Sequence, residues 1–117
     1  MTWTYYQRSG VLVGPGGQEF RGYSGSLVHR NDPTAEHIRN SGPIPRGSWI
    51  INLHPTSRRG PLTLELQPLG HSARGRSGFL IHGDNHEGDA STGCIVMPRE
   101  AREAIINSGD SALEVRE

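Results

Sequence analysis

Leu62-Thr63-Leu64-Glu65-Leu66-Gln67 alternates apolar and polar residues without a break, placing three leucines on one face of an extended chain. Upstream, Trp49-Ile50-Ile51-Asn52-Leu53 reads as a partner strand, and the Pro- and Gly-bearing segment from His54 to Pro61 as the loop between them. Val11-Leu12-Val13 and Gln18 to Tyr23 flank Gly14-Pro15-Gly16-Gly17, which predicts an N-terminal hairpin. Phe79-Leu80-Ile81-His82 and Cys94-Ile95-Val96-Met97 predict two short buried strands bracketing a polar loop, and Leu113 and Val115 a closing strand. One stretch reads as helix, Pro98 to Asn107. Proline suits its first turn, Ala101, Ala104 and Ile105 share a face, and Gly109 follows its end. A helical turn is expected within Asn31–Arg39, with Asp32 as its cap. Six or seven short strands and one C-terminal helix predict a mainly β sandwich or small barrel filling residues 1–117 as one domain.

Composition narrows the function classes. Twelve Lys+Arg balance twelve Asp+Glu among 117 residues, so the basic surplus that nonspecific nucleic-acid binding needs is missing. Sixteen glycines, about twice ordinary usage, predict many tight turns and little helix. The longest apolar run, Cys94 to Met97, is far below the ~20 residues of a membrane span, so no membrane insertion is expected. Met1 to Gln7 lacks the basic and apolar regions of a signal peptide, so synthesis in the cytoplasm without such a signal is expected. A single cysteine excludes an internal disulfide.

The chemistry concentrates between Phe79 and Val96. His82 ends one apolar strand, and Cys94, the sole cysteine, begins the next twelve residues later. A hairpin through the intervening loop would bring both to the same end of the sheet. There an imidazole can take the thiol proton and generate the thiolate that is the reactive species. Gly93 lets the chain turn sharply before the sulfur, and the amides of Gly93 and Cys94 are candidate donors to an oxyanion. Ser91 and Thr92 would shape this turn. Two other readings of the segment stand beside this one. Cys94 next to Ile95 and Val96 also fits a core residue. His82 and His86 with Asp84, Glu87, Asp89 and Cys94 supply zinc-type ligands, although Gly83 and Gly88 disfavour the helix that would align the histidines. His29, His37, His54 and His71 read as solvated surface residues.

Ile81-His82-Gly83 followed by Ser91-Thr92-Gly93-Cys94-Ile95 resembles the signature of L,D-transpeptidase catalytic domains. More closely, the chain resembles the small L,D-transpeptidase-like effectors that bacteria deliver through the type VI secretion system against peptidoglycan. Gly22-Tyr23-Ser24-Gly25, Asn31-Asp32-Pro33, Gly42 to Gly47 and Gly78 to Asn85 follow that family's order and extend the likeness along nearly the whole chain. The larger L,D-transpeptidases carry a second histidine where Thr92 stands, and Arg or Asn in place of Val96, which favours the compact effector group.

The resemblance implies an L,D-transpeptidase-like β fold with Cys94 as nucleophile and His82 as base, and no cofactor. It implies a peptidoglycan tetrapeptide stem as substrate, attacked at the meso-diaminopimelate–D-Ala bond. Transfer to water is L,D-carboxypeptidase action, and transfer to an amine is crosslinking or D-amino acid exchange. It also implies that the Gly83 carbonyl orients the imidazole, with Asp84 as the competing acceptor. Tyr23 and Ser24 are candidates to line the cleft, and Arg99 to bind a substrate carboxylate. Implied partners are the peptide stems, an immunity protein, and a secretion machine or carrier that brings the chain to the periplasm of target bacteria. A noncatalytic peptidoglycan-binding or phage-structural module with a core cysteine is the competing expectation.

Overall fold

Leu64 and Leu66 are buried, while Glu65 and Gln67, which alternate with them, face outward. The strand they form, β6 (Leu64–Leu69), begins later than the pattern predicts, because Leu62 adopts φ +60° and belongs to the preceding turn. The computed structural model describes all 117 residues. The other strands are β1 (Thr2–Tyr6), β2 (Val11–Val13), β3 (Glu19–Arg21), β4 (Tyr23–Ser24), β5 (Gly47–Ile51), β7 (Leu80–His82), β8 (Ile95–Val96) and β9 (Ala112–Arg116). The single α-helix is α1 (Arg99–Ser108).

All nine strands join one sheet in the order β3-β2-β1-β9-β5-β6-β7-β8-β4. Its two edge strands, β3 and β4, are separated in sequence by Gly22 alone, so the sheet curls into a nearly closed barrel. Closure depends on glycine at that position. An added Cβ would lie 1.8 Å from the carbonyl oxygen of Val96, on the strand that β4 pairs with. The hairpin β2–β3 and the pair β5–β6 form as the sequence predicts.

Two elements differ from expectation. β1 was hidden in a segment that holds a clear alternation: Trp3 and Tyr5 are fully buried between Thr2, Thr4 and Tyr6. β9 does not close an edge but lies mid-sheet, parallel to β1 and antiparallel to β5. Trp3 and Trp49 therefore flank Leu113 across three strands and anchor a core of 17 buried residues. Helix α1 seals that core with Ala101 and Ile105. Pro98 stands at its N-cap, and Gly109 ends it at φ +70°. Asp32 caps a short 3-10 turn, Pro33–Ala35, by accepting from the Thr34 amide.

The sharpest correction concerns β7 and β8, which pair in parallel and are not a hairpin. The segment from Gly83 to Cys94 has the dozen or so residues that a parallel connection needs. β8 enters between β7 and β4, pairing with β4 through Tyr23↔Val96 and Ser24↔Ile95.

Gly22→Ala is expected to cost about 3 kcal/mol, since a backbone carbonyl cannot yield as a flexible side chain can. Gly17→Ala, at φ +86° with open space around the added carbon, should cost about 1 kcal/mol of backbone strain. Urea denaturation of both variants tests this. Equal losses would show that barrel closure does not depend on the close approach at Gly22.

Candidate active site

The register of β7 against β8 decides which side chains meet. Ile81 aligns with Ile95, and both join the core. His82 aligns with Val96, and Cys94 stands in the bend just before β8; extending the strand's two-residue period back to it assigns Cys94 to the His82 face, diagonally across the ladder. Such diagonal neighbours have Cβ atoms roughly 7–8 Å apart, a gap an imidazole and a thiol can close. No hydrogen bond joins the two. Cys94 Sγ instead donates to the Gly78 carbonyl at 3.7 Å, and His82 Nε2 is buried with no hydrogen-bond partner.

The other ring nitrogen is fixed. His82 Nδ1 lies 2.7 Å from the Gly83 carbonyl oxygen, an acceptor, so Nδ1 carries the proton and the lone pair sits on Nε2. Asp84 is occupied elsewhere: Oδ1 accepts from the Tyr23 hydroxyl at 2.5 Å and the Asn85 amide at 2.9 Å. Burial holds the His82 pKa below its ordinary value, and Arg59 and Arg102 lower it further against the Gly83 carbonyl and Asp84. Burial pushes the Cys94 thiol up, opposed by the Leu80 amide and by Arg59, Arg76 and Arg58. Both shifts favour a resting pair of neutral thiol and neutral imidazole.

The turn carrying Cys94 is pinned by two buried serines. Ser91 Oγ donates to the Cys94 carbonyl at 2.6 Å and accepts from the Gly25 and Gly93 amides. Ser24 Oγ donates to the Gly93 carbonyl at 2.9 Å and accepts from the Ile44 amide at 2.8 Å. Ser24 is therefore a backbone clamp and not a cleft residue. Gly93 has φ +149°, and a Cβ there would sit 2.5 Å from Arg76 Nη2. Because the Gly93 amide is spent on Ser91, it is not a free oxyanion donor. The Cys94 amide has no acceptor within the protein. Tyr23 is buried and holds the loop instead of lining the cleft, donating to Asp84 and accepting from the Ala90 amide. Its pKa is pushed up to about 12, chiefly by burial, so it remains a donor.

Cys94 opens onto a cleft of about 170 Å³. Arg39, Asn40, Arg76, Phe79 and the exposed Thr92 line it, and no acidic side chain does. His82 is not part of the lining. Arg99 is not either; it is exposed and pairs with Glu103 one turn along α1. The arginines at the cleft escaped the sequence reading. Arg74-Gly75-Arg76-Ser77-Gly78, a glycine-rich loop with two cations just before β7, was the available signal. No group of three or more His, Cys, Asp or Glu side chains gathers closely enough to hold a metal ion. His71 is no surface bystander, since it packs edge-on against Trp49 at 5.1 Å and bonds to the Ser48 carbonyl.

Residues 18–114 match the Tlde1 domain, a span running from β3 into β9 and including every residue discussed above for the cleft and its turn. The chain belongs to the Tlde1 domain family. This places it among type VI secretion effectors. No curated protein matches the chain. The Tlde1 match covers the β3–β4 junction as well as the His82 and Cys94 segments, whereas β1 and β2, which link β3 to the rest of the sheet, precede it. No helix is long and apolar enough to cross a membrane.

Iodoacetamide labelling of the single cysteine, followed by mass spectrometry across pH, checks the resting state. Labelling should be slow at pH 7 and rise only above the range in which an unburied cysteine ionises. Fast labelling at neutral pH would show a preformed thiolate–imidazolium pair.

Proposed function

We propose that this Tlde1 domain is a cysteine enzyme of peptidoglycan stems, with Cys94 as nucleophile and His82 as base. The observation that carries the reading is the placement of Cys94 on a cationic cleft, on the same sheet face as an imidazole with one nitrogen anchored and the other free. Cys94 lies outside the core cluster that its neighbour Ile95 joins, which favours this reading over a structural cysteine.

The reaction needs no group beyond these. As Sγ turns from the Gly78 carbonyl, its proton passes to His82 Nε2 and the sulfur attacks the L-centre carbonyl of meso-diaminopimelate. Negative charge develops on the carbonyl oxygen, where the Cys94 amide is the available donor. Collapse breaks the amide bond, and the imidazolium returns the proton to the departing D-Ala amine. Water, deprotonated by His82, then releases the tripeptide and the thiol, which is L,D-carboxypeptidase action. An amine in place of water gives crosslinking or D-amino acid exchange. The Gly83 carbonyl keeps the imidazole in its reactive tautomer throughout.

Digestion of disaccharide-tetrapeptides, with products weighed by mass spectrometry, tests the assignment. Cys94→Ala and His82→Ala should each reduce D-Ala release by at least about 10³-fold, because the two act as a unit. Asp84→Asn should lose less than about tenfold, since its carboxylate bonds Tyr23 and not the imidazole. Full activity in folded Cys94→Ala would end the proposal. A loss near 10⁴-fold in Asp84→Asn would transfer the orienting role from Gly83 to Asp84.

Delivery to the periplasm of a target cell, with a cognate immunity protein guarding the producer, follows from the same reading. The chain fused to a periplasmic signal peptide should arrest growth, whereas cytosolic expression and exported Cys94→Ala at matched levels should not. Equal toxicity of exported Cys94→Ala would exclude enzymatic wall damage as the cause.

A further inference from the structure

Arg76 is a buried cation that forms no ion pair of its own. It is 7% exposed, and its guanidinium donates to four neutral acceptors, the carbonyls of Glu36, Gly42, Pro43 and Thr92. The nearest carboxylate it senses, Glu36, is already satisfied by Gln7, Arg46 and Arg74. A buried charge whose one near carboxylate is shared with two other arginines is costly, and an anion entering the cleft would offset that cost. Arg39 stands at the same cleft, exposed, with one long bond of 3.3 Å to the Gly75 carbonyl. Its guanidinium is thus free to take a ligand, and the lining holds no acid to compete.

We propose that Arg39 and Arg76 form a carboxylate-binding subsite for the free C-terminal carboxylate of the residue that leaves. This rests on Cys94 as the nucleophile. The placement is set by Gly93, one residue from the sulfur-bearing position, where a Cβ would lie only 2.5 Å from Arg76 Nη2. In a peptide, the carboxylate carbon of the terminal residue lies roughly 3–4 Å beyond the carbonyl carbon of the preceding one. A substrate with its last amide bond at Sγ therefore brings its terminal carboxylate to the arginines. A chain that continues past that residue, or ends in an amide, leaves Arg76 uncompensated. The subsite makes the domain exo-acting, selecting uncrosslinked stem ends over internal or crosslinked bonds. In exchange, the incoming D-amino acid presents its own carboxylate to the same pair.

Binding separates this subsite from the chemistry. Disaccharide-tetrapeptide and its C-terminal carboxamide are titrated calorimetrically into full-length Cys94→Ala, which binds without turning over. The acid should bind at least about tenfold more tightly, in line with a charge-assisted hydrogen bond. Adding Arg39→Gln should shrink the preference to about threefold or less, and Arg39→Lys should restore part of it. Arg39 is exposed and makes no core contact, so these variants fold even if Arg76→Met does not. Equal binding of acid and amide, binding of neither, or an acid preference untouched by Arg39→Gln overturns the subsite. Failure of the parent chain to release D-Ala, with the Arg39-dependent preference intact, would instead sink Cys94 as the nucleophile.

Discussion

The site depends on one pairing, the parallel register that sets Ile81 beside Ile95 and His82 beside Val96. Side chains alternate along a strand, so a slip of one residue would turn Cys94 away from His82 and push Ile95 out of the core. The register is held from both sides. On one, Ile81 and Ile95 are fully buried in the main cluster. On the other, β4 pairs with β8 and continues through Gly22 into β3, so the strand that follows Cys94 also closes the barrel. Stability of the fold and geometry of the site are therefore the same constraint. A change that opens the barrel at Gly22 also loosens the partner strand of Cys94.

Around that pairing, polar groups hold backbone more than they contact a ligand. Ser24, Ser91 and Tyr23 spend their hydroxyls on the turn that carries Cys94 and the loop before it. Buried polar atoms are ordinarily satisfied, and here that rule picks out the exception: His82 Nε2, buried and unpartnered. The neutral resting state follows from the same burial. Desolvation penalises both imidazolium and thiolate, while Arg58, Arg59 and Arg76 supply a positive field that favours negative charge at the sulfur. Arg59 acts on both groups, favouring the thiolate over the thiol and the neutral imidazole over the imidazolium.

Much of this was legible in the chain. Period-two alternation located β5 and β6, glycine turns located the β2–β3 hairpin, and Pro98 and Gly109 bracketed α1. Cys94 and His82 stood out because each ends or begins an apolar strand beside glycine. The direction of β8 was not legible: two residues, Ile95 and Val96, hold no directional signal, and one partner, Tyr23–Ser24, lies roughly seventy residues upstream. Arg76 escaped notice because arginine is rarely buried and its acceptors are main-chain carbonyls that leave no trace in sequence. The family match supports the reading of the chain as an effector, while the roles of His82 and Cys94 rest on geometry.

The central claim is that Cys94 bonds covalently to the stem. Its most direct measurement is rapid acid quenching of enzyme and disaccharide-tetrapeptide within the first turnover, followed by mass spectrometry of the intact chain and its peptides. The account predicts a transient mass increase equal to the disaccharide-tripeptide acyl group, carried by the peptide containing Cys94 and slowed in appearance by His82→Ala. Release of one equivalent of D-Ala while Cys94 remains unmodified at every time point would contradict it.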